Sequence, residues 1–421
     1  MNLVTWKCES RRRQPPGKPP LRIIAAIVLQ GVLHGIWLGS APAVRAQAPA
    51  ALDLGRPDVV APGVTRYHVA VPAAAASLVH GEGPLAIDLL KIDPRQAEIT
   101  TALAKGDAQG RAPVLDAVTR AGAIAGVNAS FFVLESGDST GVLRVDGRLL
   151  SDASRLRGAV AFVKARDGSQ KLLFDRVTVR LTVRPSTGGR EMPSTVDAPR
   201  TLNGLALYTP RFAERTRTAP SGTEWLLAPR PTSTTDLVVV ERRDHQGASV
   251  IPKDGAVLSY GGSPPPASLN PLRRGGWITV REHWVTESRQ DARQWARAED
   301  VVGGVGLLLR RGRPVTEWTA EHAQASFVDR RHPRTMIGVD KAGFIWLVAV
   351  DGRQPAHSIG MTLPELRGLA VALGLTDALN LDGGGSTTMV VGNRIVNRPS
   401  DPAGPRPVSD VILVTKKTPR R

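Results

Sequence analysis

The 421-residue chain contains a single cysteine, Cys8, and few aromatic residues, which make up 4% of its composition. Because Cys8 precedes the apolar run 23–39, it is not placed as a lipidated cysteine after such a run. The chain beyond it has no thiol, which excludes disulfides, thiolate metal sites and cysteine nucleophiles there. Basic and aromatic residues are not interleaved, which argues against a nucleic-acid partner. Stability must therefore come from packing.

The N-terminal segment has the order of a secretory signal peptide. Basic residues precede the apolar run 23–39, and small residues follow it up to Ala46. This order predicts a signal peptide over residues 1–46, cleaved after Ala46, and an extracytoplasmic protein that is secreted or periplasmic. The alternative is an uncleaved anchor, because the apolar run is nearly long enough to span a bilayer. Contact with a membrane is expected only in that second case.

The chain is basic, with a formal net charge of +17. The first 46 residues hold seven Lys and Arg against one acid, which leaves 48 against 37, or +11, for the remainder. That excess is spread along the chain, apart from a basic tail at 416–421. A diffuse excess is usually a solvated surface, and it also suits contact with anionic envelope polymers.

Short apolar runs alternate with turn residues along the chain, which favours a β-rich protein. The 42 Gly and 33 Pro agree with many turns. Asp146-Gly147 and Gly392-Asn393 each stand between apolar runs and predict two-residue hairpin loops. We predict an α+β fold of mixed, mostly antiparallel β-sheets with a few flanking helices and one main domain. The predicted strands are 85–92, 124–128, 159–163, 177–183, 237–241, 277–285, 305–309, 335–339, 345–350, 378–381, 388–391 and 411–414.

Two segments predict helices, and the clearer one begins at Thr362. Thr362 and Glu365 have the spacing of a capping box, apolar residues follow at helical intervals, and Gly374 ends the pattern. A weaker pattern covers 114–121.

Composition suggests the remaining boundaries. Segments 184–232 and 242–275 are rich in Pro, Ser, Thr and Arg, which predicts long loops or an insertion between two halves of the sheet. The expected order is a linker at 47–60, a β-rich part packed on the main domain at 61–121, the main domain at 122–415 with a loop-rich insertion at about 184–275, and the basic tail 416–421.

The segment from Asn380 to Thr388 contains an amide, an acid, three glycines and several hydroxyls after an apolar run. Glycine lets backbone N–H groups approach a ligand closely, although each glycine costs about 0.5–1 kcal/mol relative to Ala. Strand alternation puts Asn380 and Asp382 on one face, which ends at the glycines. A second predicted strand ends in Asp351-Gly352-Arg353. One Asp-Gly pair is usually a turn, but two such strand ends flanking a capped helix favour a site.

Three further residues are candidates for that site. Arg334 and Arg353 can each hold an oxyanion through two parallel hydrogen bonds, although most arginines are simply exposed. Asn128 follows an apolar strand and is a better candidate than the two phenylalanines after it. No cofactor is firmly indicated, but a divalent cation held by Asp351, Asp382 and carbonyl oxygens is chemically reasonable.

Familiar catalytic motifs do not explain these residues. The glycine loop lacks the Lys of a P-loop and the spacing of a dinucleotide-binding loop. Thr388 occupies the position where a serine-hydrolase elbow has glycine. The sequence also has no H-E-x-x-H zinc motif.

Six segments are distinctive in sequence and in order, at residues 126–132, 333–338, 350–353, 360–366, 377–386 and 396–401. Together they resemble the phosphodiester glycosidase family. The likeness spans about residues 122–415 and is densest after His332. It implies an extracytoplasmic mixed α/β domain that hydrolyses the bond between a sugar and a phosphate, with a sugar-phosphate or phosphodiester-linked glycan, in an envelope or extracellular polysaccharide, as substrate. Ser130 stands where the family usually has glycine, and 184–300 shows little recognisable identity, so the sugar is left open.

The resemblance and the chemistry of these side chains together suggest roles. Arg334 and Arg353 would hold the phosphate, helped by amides and hydroxyls of the glycine loop. Asp382 would stabilise the sugar cation or act as nucleophile, and Asp351 would activate water or orient a neighbour. The other predicted substrate-binding residues are Asn128, Asn380, Gly383, Gly384, Gly385, Ser386, Thr387 and Asn397.

Two alternatives stay open at this point. In a metal-assisted phosphodiesterase, Asp351 and Asp382 would hold a cation and the P–O bond would break. A non-catalytic protein that binds or exports an exopolysaccharide could keep the same fold.

Overall fold

The computed structural model describes residues 52–165, 168–289 and 292–417. The predicted signal peptide, its cleavage site and most of the basic tail lie outside these ranges. Within them, 24 strands form sheets of eight, eleven and five strands. Of the described strand pairs, β10–β11 is parallel and the others are antiparallel, so the predicted fold class is confirmed. The strands are β1 Asp58–Ala61, β2 Val64–Val71, β3 Leu85–Ile92, β4 Ala97–Leu103, β5 Ala125–Asn128, β6 Leu143–Val145, β7 Arg148–Ser151, β8 Ala153–Lys164, β9 Gln170–Pro185, β10 Met192–Val196, β11 Leu205–Tyr208, β12 Thr223–Pro229, β13 Asp236–Asp244, β14 Ala256–Tyr260, β15 Trp277–Thr286, β16 Asp300–Gly303, β17 Leu307–Arg310, β18 Arg313–Pro314, β19 Arg334–Asp340, β20 Ile345–Val350, β21 Leu375–Asn380, β22 Met389–Val391, β23 Arg394–Ile395 and β24 Asp410–Lys416.

Helices are few, as predicted. Both helices expected from the sequence are found, and the Thr362 side chain and Glu365 form the capping box at the start of the second. In the described part of the chain, no helix has both the length and the apolar character needed to cross a membrane. The helices are α1 Val114–Ala121, α2 Ala292–Ala296, α3 Ala325–Asp329 and α4 Leu363–Ala372, with 3-10 turns at Ala73–Ala75, Ser77–Val79, Thr319–Glu321 and Gly384–Ser386.

The eight-stranded sheet, in the order β1-β2-β3-β20-β19-β21-β17-β18, brings together the ends of three strands. Because β19 is antiparallel to both β20 and β21, those two strands run parallel to each other and finish at the same edge. Arg334 at the start of β19 pairs with Val350, and Met336 pairs with Asn380. The residues that follow β20 and β21 therefore meet the residues that precede β19.

The sheet is covered on both faces, which explains its continuous apolar strands. On one face, Leu347 packs in a core with Val127 of the five-stranded sheet and Phe162 of the eleven-stranded sheet. On the other face, Met336 belongs to a core that includes Leu366 of α4.

The five-stranded sheet, in the order β23-β22-β5-β24-β4, supplies the other side of the same region. Asn128 ends β5 and pairs with Val411 of β24. Strand β22 follows the glycine loop and pairs with β5. The residues that were predicted near the site thus lie on two sheets that share one core.

The predicted loops at 184–232 and 242–275 contain strands, and this part of the prediction was wrong. Strands β10, β11, β12 and β14 lie in these segments and join the eleven-stranded sheet. Their signal was weak because β11 has only four residues and β10 contains Pro193, which favours an edge position over a central strand. Strand β1 also begins inside the predicted linker 47–60. The N-terminal part 61–121 is built into the eight- and five-stranded sheets.

Candidate active site at three strand ends

Asp351 directly follows β20 and is buried. Its Oδ2 accepts a hydrogen bond from His357 Nε2 at 2.8 Å, and Oδ1 accepts one from Asn397 Nδ2 at 2.9 Å. The backbone N–H of Arg398 lies 3.0 Å from both oxygens. A carboxylate has about four acceptor positions, so these contacts fill it. Asp351 is therefore placed to fix the imidazole of His357.

Asp382 follows β21 and is partly exposed. Its Oδ1 accepts the Gly383 N–H at 2.9 Å, while its backbone is held by Ala129 O at 2.9 Å and by Asn128 Nδ2 at 2.7 Å. Burial raises the pKa of this carboxyl to about 6, and the Ser386 hydroxyl and the Gly383 amide oppose the rise. A carboxyl with this pKa changes its protonation state near neutral pH, which suits general acid–base chemistry.

The glycine loop is held against the strand that begins at Arg334. Gly384 N–H donates to Pro333 O at 2.9 Å, and a Cβ on Gly383 would lie 2.6 Å from the same oxygen. Since Gly383 N–H is bound to Asp382, neither amide is available to a ligand, which corrects the prediction that all three glycine amides bind phosphate. The loop is packed backbone that carries Asp382.

Ser386 and Thr387 were predicted as phosphate donors, and both are buried. Thr387 Oγ1 lies 3.4 Å from Thr335 Oγ1 inside the protein. Ser386 Oγ makes no hydrogen bond of ordinary geometry with the described residues, although its hydroxyl lies close enough to Asp382 to lower the pKa of that acid. Of the two hydroxyls, that of Ser386 thus lies next to the carboxyl of Asp382.

Two of the three predicted asparagines, Asn128 and Asn397, hold the loop and its neighbours. Asn128 Oδ1 accepts from Thr335 Oγ1 at 2.8 Å and from Thr388 N at 3.1 Å. Asn397 Nδ2 donates to Asp351, as described above, and to the Thr387 carbonyl at 3.1 Å. Asn128 and Asn397 therefore tie the loop to its surroundings.

Asn380 lies apart from these contacts. It is fully buried, and its Nδ2 donates to Val305 O at 2.8 Å and to Leu381 O at 2.9 Å. The structure thus places it between β21 and the segment before β17, and the other asparagines lie nearer to the acids.

Arg334 is almost completely buried, at 1% exposure. Its Nε donates to Met361 O at 2.8 Å, and its Nη2 donates to Phe327 O at 2.7 Å. These acceptors are neutral carbonyls, and burial lowers the pKa of the guanidinium to about 10. It still carries its charge at neutral pH. Nη1 makes no hydrogen bond with the described residues.

Arg353 is exposed, and its backbone has a φ of 60°. Its Nη2 lies 3.2 Å from Nδ1 of His332. Since a guanidinium can only donate, Nδ1 of His332 is the acceptor and its ring is neutral. Burial, followed by the charges of Arg334 and Arg353, lowers the pKa of His332 in agreement with this. The guanidinium lies over Gly384, where a Cβ would be 3.0 Å from Nη2.

The two arginines make no salt bridge with any described residue. Two guanidinium groups thus lie close enough to act on each other, beside a neutral histidine and without a salt bridge of their own. The acid that acts on Arg334, Glu365, is itself bound to Arg331. A buried charge without a partner is costly, so such groups are often kept for an anionic ligand.

Sequence reasoning missed three side chains of this region. His357 lies in a loop without a recognisable motif. Asp401 forms a salt bridge with Arg406 at 2.9 Å, and its carboxylate would lie 2.1 Å from a Cβ on Gly385. Asp410 at the start of β24 is fully buried, and its charge raises the pKa of Asp382. Asp401 belongs to the segment 396–401 that carried the resemblance, so that segment was the available signal.

A divalent cation was considered for this region. The described residues contain no group of three or more His, Cys, Asp and Glu that could hold a metal ion. Asp351, one of the two proposed ligands, is also filled by hydrogen bonds. The residues present therefore offer a poor donor set for the cation.

Residues 234–415 match a family model described as phosphodiester glycosidase. The N-acetylglucosamine-1-phosphodiester alpha-N-acetylglucosaminidase of Bos taurus is 35% identical over 94 residues, which are 21% of this chain and 18% of that protein. The chain thus spans about a fifth of the length of this curated relative. The family match confirms the resemblance seen in the sequence. The matched segment 234–415 includes the ends of β20 and β21 and the start of β19, and Asn128 lies outside it.

Two solved structures share the fold. A hypothetical protein from Synechocystis has a TM-score of 0.67 and 23% identity, and the likeness covers 84% of this chain and 62% of that one. A protein from Burkholderia pseudomallei K96243, whose description calls it exported, has a TM-score of 0.69 and 21% identity, with 88% and 98% covered. At these identities the likeness concerns the fold alone.

Proposed function

We propose that this chain, which carries a phosphodiester glycosidase segment at residues 234–415, hydrolyses the C1–O bond between a sugar and a phosphate in glycosyl phosphodiesters. The observation that carries the proposal is the pair of arginines without salt-bridge partners beside an acid whose pKa burial raises to about 6. The arginines suit the phosphate, and the acid suits the sugar. The family match supports a hydrolase of this class.

The phosphate would be bound by Arg353 and by the free Nη1 of Arg334. Arg353 is oriented by His332, and Arg334 is fixed by backbone carbonyls, so the two donors are preorganised. Preorganised donors stabilise the charge that develops on a departing phosphate. A phosphate monoester leaves readily, so little proton donation is needed.

The sugar would face Asp382. As the C1–O bond breaks, positive charge develops on the sugar ring, and an ionised Asp382 would stabilise it or attack C1. His357, held by Asp351, would accept a proton from the water whose oxygen bonds to C1. The products are a free sugar and a phosphate monoester.

The deciding experiment is hydrolysis of a methyl phosphodiester of N-acetylglucosamine 1-phosphate in oxygen-18 water. We expect release of the sugar with the label in the sugar. Label in the phosphate would mean that the P–O bond breaks, as in a metal-assisted phosphodiesterase. Binding without turnover, over a panel of glycosyl phosphodiesters, would favour a non-catalytic glycan-binding protein.

We also propose that the protein is exported and acts on an envelope or extracellular polysaccharide. The signal-peptide order of residues 1–46 supports this, as does the shared fold with a protein described as exported. Sugar-releasing activity is expected in the extracytoplasmic fraction of cells that produce the full chain. Activity confined to the cytoplasm would contradict the proposal.

Arg353→Gln is expected to weaken binding of inorganic phosphate roughly tenfold or more, because a charge-assisted hydrogen bond is lost. Competitive inhibition of turnover by phosphate, or direct calorimetry, measures the change. Arg313→Gln is the matched control, since it removes the same charge from an exposed position on β18. Equal effects of the two variants would show a general charge effect and no specific phosphate contact.

A further inference from the structure

We propose that a cleft beside the candidate active site binds a sugar ring bearing a carboxylate, as part of the same substrate. This inference rests on the proposed function and names the class of glycan that the site accepts. The cleft has a volume of about 250 Å³. This is below the roughly 300 Å³ at which pockets for drug-sized ligands begin, so it suits a single ring. It is lined by Phe131, Thr140, Arg157, Val305, His322, Ala323, Gln324 and Phe327.

The cleft shares residues with the candidate active site. Phe327 lies in the wall of the cleft, and its carbonyl accepts a hydrogen bond from Arg334. The guanidinium of Arg334 also lies 4.7 Å from the centre of the Phe327 ring. Val305, also in the wall, accepts from Asn380. Phe131 follows β5 three residues after Asn128. A substrate bound at the arginines can therefore extend into the cleft.

Two aromatic rings form an apolar wall. Phe131 and Phe327 have ring centres 5.8 Å apart and an interplanar angle of 70°. Both side chains are only partly buried. The C–H face of a pyranose ring is apolar, and an aromatic ring offers it a matching surface with little loss of conformational freedom. Exposed His322, Gln324 and Thr140 supply polar groups for hydroxyls.

Arg157 gives the cleft its charge selectivity. It lies on β8, is half-buried, and makes no hydrogen bond or salt bridge with any described residue. Glu321 is the acid that acts on it, but Glu321 already accepts from Gly158 N, Gly306 N, Leu307 N and Arg176 Nε. Arg157 therefore faces the cleft with its hydrogen-bonding capacity unused. A planar guanidinium matches a carboxylate through two parallel hydrogen bonds.

The test compares binding of methyl glucuronide with binding of methyl glucoside, which lacks the carboxylate. The protein carries Asp382→Asn, so binding is measured without turnover, by NMR or calorimetry. We expect the glucuronide to bind roughly tenfold more tightly, since the guanidinium would form charge-assisted hydrogen bonds with its carboxylate. Equal affinities for the two glycosides would overturn the inference.

Arg157→Gln is expected to abolish the preference, whereas Arg157→Lys, which keeps the charge, should retain part of it. The matched control is Arg155→Gln, which removes one positive charge from an exposed position two residues away. A preference that survives Arg157→Gln, or that Arg155→Gln removes equally, would show that Arg157 does not bind the carboxylate.

These outcomes are separable from the proposed function. If no glycosyl phosphodiester is hydrolysed by the unaltered protein, the proposed function fails, while the affinity difference between the two glycosides still decides the subsite. If hydrolysis occurs but the difference is missing, the subsite alone is wrong.

Discussion

Asp382→Asn is expected to lower kcat roughly 10²–10⁴-fold, the usual contribution of a positioned acid or base. It is also expected to make the folded protein more stable at neutral pH. In the proposed mechanism the activity is lost because Asn cannot carry the negative charge that would face the sugar cation. The stability rises because the folded protein no longer has to hold a carboxylate whose burial raises its pKa to about 6.

The stability gain should depend on pH in a definite direction. The folded carboxyl keeps its proton up to about pH 6, whereas an unfolded Asp loses it near pH 3.9. Between these values the folded state binds more protons, so the unaltered protein loses stability as the pH rises. Asn does not titrate. Its advantage should therefore grow from about pH 4 to pH 7 and reach roughly 1–3 kcal/mol, allowing for partial exposure.

Denaturant unfolding at pH 4.5 and pH 7.5, together with sugar release, checks both effects. Asp197→Asn is the control, because burial raises the pKa of Asp197 to about 7 just after β10, where it accepts hydrogen bonds from Thr209. This control should become more stable at high pH and keep its activity. A folded Asp382→Asn protein with full activity would remove Asp382 from the mechanism.

Gly360→Ala is expected to destabilise the protein by about 2–5 kcal/mol and to abolish sugar release. Gly360 has a φ of 83°, where an L-residue costs about 1–2 kcal/mol. Its Cβ would also lie 2.5 Å from the backbone oxygen of His332, and overpacking of this kind costs about 1–3 kcal/mol more. The backbone that it would displace belongs to His332, the partner of Arg353, and leads directly into Arg334 at the start of β19.

Gly374→Ala separates the two causes. Gly374 has a φ of 71°, but a Cβ there would meet nothing within 4 Å. We expect a loss of about 1–2 kcal/mol from the backbone conformation alone, with sugar release retained. The midpoints of urea unfolding measure both variants. Similar losses for the two would show that the His332 backbone moves aside without cost.

Local patterns were enough for the central sheet and the capped helix. Strands β3 and β20 agree with their predicted bounds, and α1 covers its predicted range. Long apolar runs and a capping box are local signals that tertiary contacts here reinforce. Strand β10 was missed because it is stabilised as a strand by its pairing with β9 and β11. Its five residues show no alternation of apolar and polar side chains that would predict this pairing.

The position of the candidate site could be predicted in part from the sequence for the same reason. Asp351 and Asp382 stand after strong strand patterns, so their place at a sheet edge could be predicted. The sequence could not predict which arginine is buried, because the burial of Arg334 depends on the carbonyls of Phe327 and Met361. His357 gains its importance only through its contact with Asp351. Such pairings depend on how distant segments pack.

The order of the strands has a consequence for how the chain folds. Strand β3 acquires its second neighbour through pairs such as Ile87 with Val350, and β4 pairs Ala102 with Val411. Contacts between such distant residues make folding slow. Until β20, in the last quarter of the chain, pairs with β3, one apolar edge of β3 stays unpaired, which favours aggregation. The rate of folding should therefore be set by the capture of β20 and β24, and hairpins such as β6–β7 should form earlier.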